Sequence, residues 1–398
     1  MVRASDAMIE YFHQVDDPYS HLLAQLIPRL SERYGVSVRC WLAPPPDDAA
    51  APERERLVAY ARRDTARVAA EYGVSFPRDA AAPSVEAVVL AQRALAGHDG
   101  ADFAARAVEV GAALWRGDVA ALTSLATASV ETAAVAVTEG EARRRELGHY
   151  LGDMLHRDGT WYWGVDRLYH LEEALAAAGQ DSQAGTPPIA PYRAMRLGPK
   201  PPGRAPAIEM WFSFRSPYSW IAFPRVRKLA QHYGAPLRLR YILPMVMRGL
   251  PVPPMKSYYI VRDTKREADR CGLPFGPISD PVGPGAERAL AVLHHVAPLG
   301  LGEAFAEQAL RAAWAEGIAL ADDEGLCGVA NRAGVSDAQV AAALADESWR
   351  EAAEINRAAL FDAGLWGAPT YRVEGGLAHW GQDRLWALEE DLIAAMQA

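Results

Sequence analysis

Apolar and polar positions in the second half of the chain predict two strands flanking a helix. Residues 207–212 alternate and are rich in large apolar side chains, as a buried strand requires. Ser216 is a favoured N-cap, and Pro217 suits the first helical position, where its missing N–H costs nothing. The predicted helix runs to Tyr233, and a second predicted strand covers residues 236–243.

The pattern then turns helical. Apolar spacing of i, i+3 and i+4 predicts helices at 256–271, 285–296, 303–316, 323–333, 337–345 and 348–363. Strands return at 370–373 and 377–380, joined by a Gly-rich hairpin turn, and a last helix covers 383–396. The order βαβ, helices, ββα predicts an α/β fold of the thioredoxin-like type with an inserted helical subdomain.

The chain repeats itself. Residues 9–45 align with residues 208–244 without a gap at an offset of 199. The identical pairs are Ile9/Ile208, Glu10/Glu209, Pro18/Pro217, Tyr19/Tyr218, Ser20/Ser219, Leu30/Leu229, Tyr34/Tyr233, Gly35/Gly234, Arg39/Arg238 and Pro45/Pro244. The same offset pairs Trp115 with Trp314. We therefore expect a tandem duplication of one domain.

Near the end of each copy the offset becomes 217, pairing Trp163 with Trp380 and Asp166 with Asp383. Residues 180–206 between the copies are rich in Pro and Gly and lack apolar periodicity, which predicts a semi-rigid linker. The expected organisation is a first domain at 1–179, a linker at 180–206 and a second domain at 207–398.

Charge narrows the choice of partners. Lys and Arg number 41 against 50 Asp and Glu, a formal net charge of −9 over 398 residues. Such a surface repels phosphate backbones and anionic lipids, so we expect no nucleic acid and no membrane as partner. Residues 1–15 lack the apolar run of a signal peptide, and no window of about 18 apolar residues occurs, which favours a cytoplasmic protein.

Cysteine usage argues against redox and metal chemistry. Cys40, Cys271 and Cys327 are too few and too far apart for a disulfide framework or a thiolate zinc site, and no Cys-x-x-Cys is present. The histidines show no metal-ligand spacing with carboxylates or thiolates. We expect no metal.

Four blocks of the second copy carry a family resemblance. They are Ser216-Pro217-Tyr218-Ser219-Trp220, Lys256-x-x-Tyr259-x-x-x-Asp263, Gly367-Ala368-Pro369-Thr370 and Trp380-Gly381-Gln382-Asp383-Arg384-Leu385. In this order they resemble the 2-hydroxychromene-2-carboxylate isomerases and kappa-class glutathione transferases, relatives of the DsbA oxidoreductases. The resemblance covers the second copy end to end and implies two tandem DsbA-like domains.

The resemblance implies that Ser216 stabilises the thiolate of bound glutathione, as a hydroxyl beside the positive end of a helix can do. Pro217 and Tyr218 would line the same corner. Pro369 would be cis, and the backbone of Ala368 would pair with the cysteinyl part of the ligand.

The same resemblance places the γ-glutamyl group of glutathione near Gln382 and Asp383. Asp383 is also a favoured cap for the last helix. Lys256, with Arg262, would attract the glycine carboxylate or an acidic substrate, although solvated surface is the plainer interpretation of either residue alone.

Three functions follow, in order of preference. The first is a glutathione-dependent isomerase or transferase acting on a small hydrophobic or aromatic acid. The second is a thiol-disulfide oxidoreductase, which Ser216 and Ser219 disfavour because they occupy the places of both active-site cysteines. The third is a ligand-binding or scaffold protein, because residues 244–248 lack an Asn that contacts glutathione in many relatives.

The first copy looks non-catalytic. The alignment puts Asp17 in the place of Ser216 and Gly152 in the place of Pro369, so the copy retains capping residues and loses the thiol site. We expect the two copies to pack as an intramolecular pseudo-dimer, since the related families are commonly homodimers. The alternative is a different acid–base site formed by Asp17 with His13 and His149.

Overall fold

The computed structural model describes residues 8–397 of the chain. Residues 1–7, which open the predicted first domain and the segment inspected for a signal peptide, lie outside the described residues, as does Ala398. The chain divides into two compact units, Met1–Tyr192 and Arg193–Ala398. The division falls inside the predicted linker.

The first unit alternates strands and helices at its ends and is helical between. Its strands are β1 (Ile9–His13), β2 (Val38–Leu42), β3 (Met154–Arg157) and β4 (Thr160–Trp163). Its helices are α1 (Pro18–Tyr34), α2 (Arg54–Glu71), α3 (Val85–Leu95), α4 (Gly100–Arg116), α5 (Val119–Leu125), α6 (Val130–Glu146) and α7 (Gly164–Ala177).

The second unit follows the same plan. Its strands are β5 (Ile208–Phe212), β6 (Leu237–Tyr241), β7 (Thr370–Val373) and β8 (His379–Trp380). Its α-helices are α8 (Pro217–Tyr233), α9 (Pro254–Arg270), α10 (Pro284–Val296), α11 (Gly302–Arg311), α12 (Asp323–Arg332), α13 (Asp337–Leu344), α14 (Trp349–Asp362) and α15 (Leu385–Gln397). Short 3₁₀ helices cover Met245–Arg248, Ala297–Leu299 and Gln382–Arg384, and a π-helix covers Ala312–Glu316.

Both sheets have the same topology. The strand orders are β2-β1-β3-β4 and β6-β5-β7-β8, with one parallel pair in each sheet and antiparallel pairs elsewhere. The parallel pairs share a register, since Ile9 lies opposite Val38 and Ile208 opposite Leu237, both 199 residues further on. The sheet of the second unit packs on an apolar core with α8, α10, α11 and α15.

The predicted elements of the second unit are confirmed, with three corrections. The strand predicted at 377–380 covers only His379–Trp380. The helix predicted at 303–316 is α-helical only as far as Arg311 and continues as the π-helix. Asp383 does not cap the last helix, because it lies inside the 3₁₀ turn Gln382–Arg384 that precedes α15. Helical periodicity alone does not distinguish these geometries, since all three place apolar residues three to five positions apart.

The predicted linker is not a free tether. In the first unit the carboxylate of Glu172, 1% exposed, accepts the N–H groups of Ile189 and Ala190 at 2.6 and 2.9 Å. In the second unit Glu389, 2% exposed, accepts the N–H groups of Arg196 and Leu197 at 2.5 and 2.6 Å. The middle of the segment is therefore held at 189–190 and at 196–197, each time by a buried carboxylate of the same unit, which composition could not show.

Candidate functional site

Ser216 lies at the N-terminus of α8, directly after the turn that follows β5. Its hydroxyl accepts the N–H of Ser219 at 3.1 Å, so it is the N-cap, and it donates to the carbonyl of Ala368 at 3.1 Å. Both residues, 152 positions apart in sequence, are partly exposed. The structure thus brings together Ser216 and Ala368, and the hydroxyl must turn from the carbonyl to donate to a ligand.

The Ala368–Pro369 bond is cis, which confirms the prediction for this position. The loop before it needs a glycine, because a Cβ on Gly367 would lie 2.7 Å from Nε1 of Trp380. The indoles of Trp380 and Trp366 contact each other at 4.8 Å between centroids. These two aromatic side chains form an apolar wall beside the loop that carries Ala368.

Tyr218 contributes a ring and not a free hydroxyl. Its hydroxyl donates to Asp263 of α9 at 2.6 Å, and the Asp263 carboxylate is fully buried. One helical turn further along α9, Glu267 accepts from Gln382, whose amide oxygen accepts from Arg225 of α8. Gln382 therefore links α9 to α8 through Glu267 and Arg225.

Lys256 lies in the first turn of α9. It precedes Asp263 by seven residues on the same helical face, which corresponds to about 10 Å along the axis. Asp263 itself contacts Tyr218 in the first turn of α8. Burial lowers the pKa of Lys256 to about 8. A carboxylate arriving there would find a partly desolvated ammonium group, whereas Arg262 lies over the exposed ring of Tyr258.

Gln382 and Asp383 differ in how far their side chains are exposed to solvent. The side chain of Gln382 is buried, and its amide group donates to Glu267 at 2.8 Å and to Asp383, while accepting from Arg225 at 2.6 Å. Its polar atoms are thus engaged within the protein, and it holds Asp383, which is partly exposed. Pro217 is buried at the first position of α8 and serves the helix start.

Sequence reasoning missed several supports of this corner. The segment without the expected Asn forms the 3₁₀ helix Met245–Arg248, and Arg248 donates to the carbonyl of Trp366 at 3.1 Å. Ser219, in the place of a second cysteine, is fully buried and accepts the N–H of Ser213 at 3.4 Å. The basic residue and the serine were visible in the sequence, but their partners are distant along the chain.

The corresponding corner of the first unit corrects the alignment. The N–H of Gly164 donates to the carbonyl of Asp153 at 2.8 Å, just as Gly381 donates to Pro369 at 2.9 Å. Asp153, and not Gly152, therefore occupies the place of Pro369. The prediction for Gly152 is wrong by one residue, because the hairpin between β7 and β8 is one residue longer than that between β3 and β4.

Two carboxyl groups consequently occupy the first corner. Asp17 caps α1 by accepting the N–H groups of Tyr19 and Ser20 at 3.4 and 3.1 Å. Burial raises the pKa of Asp17 to about 7 and raises the pKa of Asp153 far above its usual range, and the charge of Asp17 adds to the second shift. Asp153 is 2% exposed, and its Oδ1 has no hydrogen-bond partner among residues 8–397.

Two histidines of the first unit, His13 and His149, form hydrogen bonds with Tyr11 and Leu151. His13 contacts the hydroxyl of Tyr11 at 2.8 Å, and burial lowers the pKa of His13 to about 3, so it is neutral near pH 7. His149 is buried and accepts the N–H of Leu151 at 3.2 Å. Acid–base work by Asp17 with these residues stays a prediction.

The thiols of the chain lie outside the Ser216 corner. Cys40 is buried on β2 of the first unit, while Cys271 follows α9 and Cys327 lies within α12. Within the described range 8–397, no group of three or more His, Cys, Asp or Glu side chains is arranged to hold a metal ion. Over the same range no single helix has the length and apolar composition to cross a membrane, and only the pair α5 and α6, bent by 87°, passes that test together.

Comparison with known proteins defines the class of the second unit. Residues 207–393 match the family model of the DSBA-like thioredoxin domain. The 2-hydroxychromene-2-carboxylate isomerase of Pseudomonas putida is 28% identical over 191 residues, which are 46% of this chain and 92% of the relative. Residues 207–393 therefore match a DSBA-like thioredoxin domain, and over this part the chain is similar to 2-hydroxychromene-2-carboxylate isomerase.

Solved structures give matches of similar extent. A 2-hydroxychromene-2-carboxylate isomerase structure is 25% identical, with a TM-score of 0.40, covering 46% of this chain and 93% of its own. A probable DsbA oxidoreductase from Streptomyces coelicolor is 18% identical, with a TM-score of 0.39 and coverages of 47% and 89%. The cytosolic disulfide reductase DsbM from Pseudomonas aeruginosa, solved with GSH, is 19% identical, with a TM-score of 0.36 and coverages of 48% and 97%.

Proposed function

We propose that the second unit is a glutathione-dependent isomerase or transferase acting on a small hydrophobic or aromatic acid. The observation that carries this proposal is the partly exposed Ser216 hydroxyl at the N-terminus of α8, 3.1 Å from the carbonyl of Ala368 beside cis-Pro369. The relationship to an isomerase of an aromatic carboxylate supports the substrate class.

The donor set fits a thiolate. By rotating, the Ser216 hydroxyl can donate to a sulfur anion, and the partial positive charge at the N-terminus of α8 stabilises the same anion. Both effects lower the pKa of a bound thiol. When bound, glutathione would supply a nucleophilic sulfur that adds reversibly to an enone-like carbon, permits rotation of the adjoining bond, and leaves again.

Other residues would hold the rest of the ligand. The ammonium group of Lys256, in the first turn of α9, would bind a carboxylate of glutathione or of the substrate. Asp383 would accept the γ-glutamyl ammonium, with Gln382 as its support. The backbone of Ala368 would pair with the cysteinyl residue, and Tyr218, Trp366 and Trp380 would form the apolar side of the substrate pocket.

Disulfide exchange is the less favoured function. Ser216 and Ser219 provide no sulfur nucleophile, and Ser219 is fully buried and engaged with the turn before the helix. A ligand-binding protein without chemistry remains the alternative, because Arg248 and its neighbours replace the Asn found in many relatives.

The test combines binding and turnover. Calorimetry is expected to show glutathione binding below millimolar concentration, and Ser216→Ala is expected to raise the pKa of the bound thiol and to reduce turnover by roughly 10²-fold. Folding should remain nearly intact, since a lost cap costs about 1 kcal/mol. Absence of binding at millimolar glutathione would favour the ligand-binding alternative, and turnover of a disulfide substrate would favour the oxidoreductase.

For the whole chain we propose a tandem duplication in which the first unit is a non-catalytic partner. Asp17 and Asp153 in the first corner would repel a thiolate when ionised, and they support this role. Packing of the two copies as a pseudo-dimer stays a prediction. We place the protein in the cytoplasm, where glutathione is kept reduced.

A further inference from the structure

The turn that leads into Ser216 and α8 is held by contacts with residues outside the turn. Residues Ser213 to Ser216 form a four-residue turn in which the N–H of Ser216 donates to the carbonyl of Ser213 at 3.0 Å. The indole Nε1 of Trp314 donates to the carbonyl of Phe214, inside this turn, at 2.9 Å. The next residue, Arg215, makes a two-point ion pair with Asp280 at 2.9 and 2.8 Å.

The π-helix Ala312–Glu316 gives Trp314 this position. Two carbonyl groups of its last turn accept from a neighbouring loop: the N–H of Gly276 donates to the carbonyl of Trp314 at 2.7 Å, and the N–H of Ser279 donates to that of Ala313 at 2.8 Å. The same loop continues to Asp280, the partner of Arg215. The π-helix and the loop therefore hold both central residues of the Ser216 turn.

The first unit lacks this support although it has the same tryptophan. Trp115 is 2% exposed, and its Nε1 has no hydrogen-bond partner among the described residues. Here α4 remains α-helical to Arg116 and ends at Gly117. Trp115 is separated from its capping glycine by one residue, whereas Ala315 and Glu316 separate Trp314 from Gly317. The extra residue accompanies the π-helix, as an i to i+5 turn requires.

We infer that Trp314 is a positioning residue for the thiol site, acting through the Phe214 carbonyl on the orientation of Ser216. This inference rests on the proposed function. Trp314 is 4% exposed and stacks on Phe275 at 6.1 Å, so its indole has little freedom to leave the turn. The corresponding tryptophan of the first unit, Trp115, packs against Phe76 at 5.2 Å between ring centroids.

The experiment compares Trp314→Phe with Trp115→Phe in the full chain. Both changes remove an indole N–H and similar volume from the same type of site, but only the first removes a hydrogen bond. Trp314→Phe is expected to weaken glutathione binding about fivefold, to raise the pKa of the bound thiol, and to speed exchange of the Ser219 and Trp220 amides about fivefold. Trp115→Phe is expected to change none of the three by more than twofold.

Two further measurements separate positioning from general loosening. S-methylglutathione has no thiolate, so its affinity is expected to change less in Trp314→Phe than that of glutathione. Asp280→Asn, which releases Arg215 at a partly exposed position, is expected to act in the same direction and supplies a second variant if Trp314→Phe folds poorly.

The outcomes decide two questions separately. Unchanged amide exchange at residues 219–220 in both Trp314→Phe and Asp280→Asn, or equal effects of the two tryptophan variants, would overturn the inference. If the wild-type chain binds no glutathione, the proposed function is wrong, while amide exchange still tests whether Trp314 orders the turn. Equal losses for glutathione and S-methylglutathione would also contradict a role directed at the thiolate.

Discussion

Equivalent corners of the two units combine one backbone plan with different polar groups. In the second unit a neutral hydroxyl, Ser216, faces the backbone next to cis-Pro369. In the first, Asp17 and Asp153 occupy those two places, and burial raises the pKa of both. The N-terminus of a helix stabilises a nearby anion. Whether each corner can bind a thiolate therefore depends on whether a carboxylate of the protein already occupies that position.

A second difference between the units concerns the contacts of Trp314 and Trp115. Trp314 and Trp115 occupy equivalent positions, but only Trp314 reaches a carbonyl of the turn, because a π-helix replaces the last α-helical turn. One added residue in a helix thus couples a buried indole to the candidate site. The comparison teaches that retention of a residue type does not imply retention of its contact.

The largest expected effect comes from giving the second unit the cap of the first. Ser216→Asp keeps a good N-cap but places a negative charge where the thiolate should bind, so we expect a loss of glutathione affinity on the order of 10³-fold, measured by calorimetry. Ser216→Asn is the control, because it caps a helix without a charge and should lose less. Equal losses in the two variants would show that size, and not charge, distinguishes the corners.

A second test concerns the segment that follows the first sheet. Arg33, 5% exposed, donates to Asp181 at 2.8 and 2.9 Å and to the carbonyl of Pro187 at 2.6 Å. A fragment ending at residue 180 removes these partners of Arg33, whereas one ending at Tyr192 keeps them. We expect the shorter fragment to be less stable by about 3–5 kcal/mol in urea unfolding.

The longer fragment is also the sharper test of function. It retains the partners of Glu172 and should fold, yet bind no glutathione, because its corner carries Asp17 and Asp153. Glutathione binding by this fragment would contradict the contrast between the two corners, and equal urea midpoints for the two fragments would contradict the role of Arg33.

The smallest expected effect is a pH dependence confined to the first unit. The pKa of Asp17 in the folded state, about 7, lies above the value of about 4 for an unfolded Asp, so the folded state holds the proton more tightly. Stability therefore falls as pH rises from about 4 through 7. Burial accounts for most of this shift, and the charge of Asp16 adds to it.

Asp17→Asn should remove part of that fall and raise the stability of the 1–192 fragment at pH 8 by about 1 kcal/mol, or about 2–4 °C in melting temperature. At pH 4 the two proteins should differ little. The opposite order, with the variant less stable at pH 8, would show that the charged cap contributes more to α1 than its burial costs.

Much of the second unit follows from local sequence. Ser216-Pro217 and Gly234 determine the start and end of α8 because capping and backbone conformation act within a few residues. The alternation at Ile208–Phe212 determines a buried strand, and the Gly367-Ala368-Pro369-Thr370 block, recognised through its family, marked the cis bond. These features require no knowledge of distant contacts.

The tertiary structure decided what depends on partners far along the chain. Gln382 matched the family motif, but its amide is buried between Arg225 and Glu267, more than a hundred residues away. Asp153 became visible as the counterpart of Pro369 only through strand register, since a hairpin longer by one residue shifts an ungapped alignment. Propensity and periodicity act over single turns, whereas desolvation and hydrogen-bond pairing depend on which distant atoms the fold brings within about 3 Å.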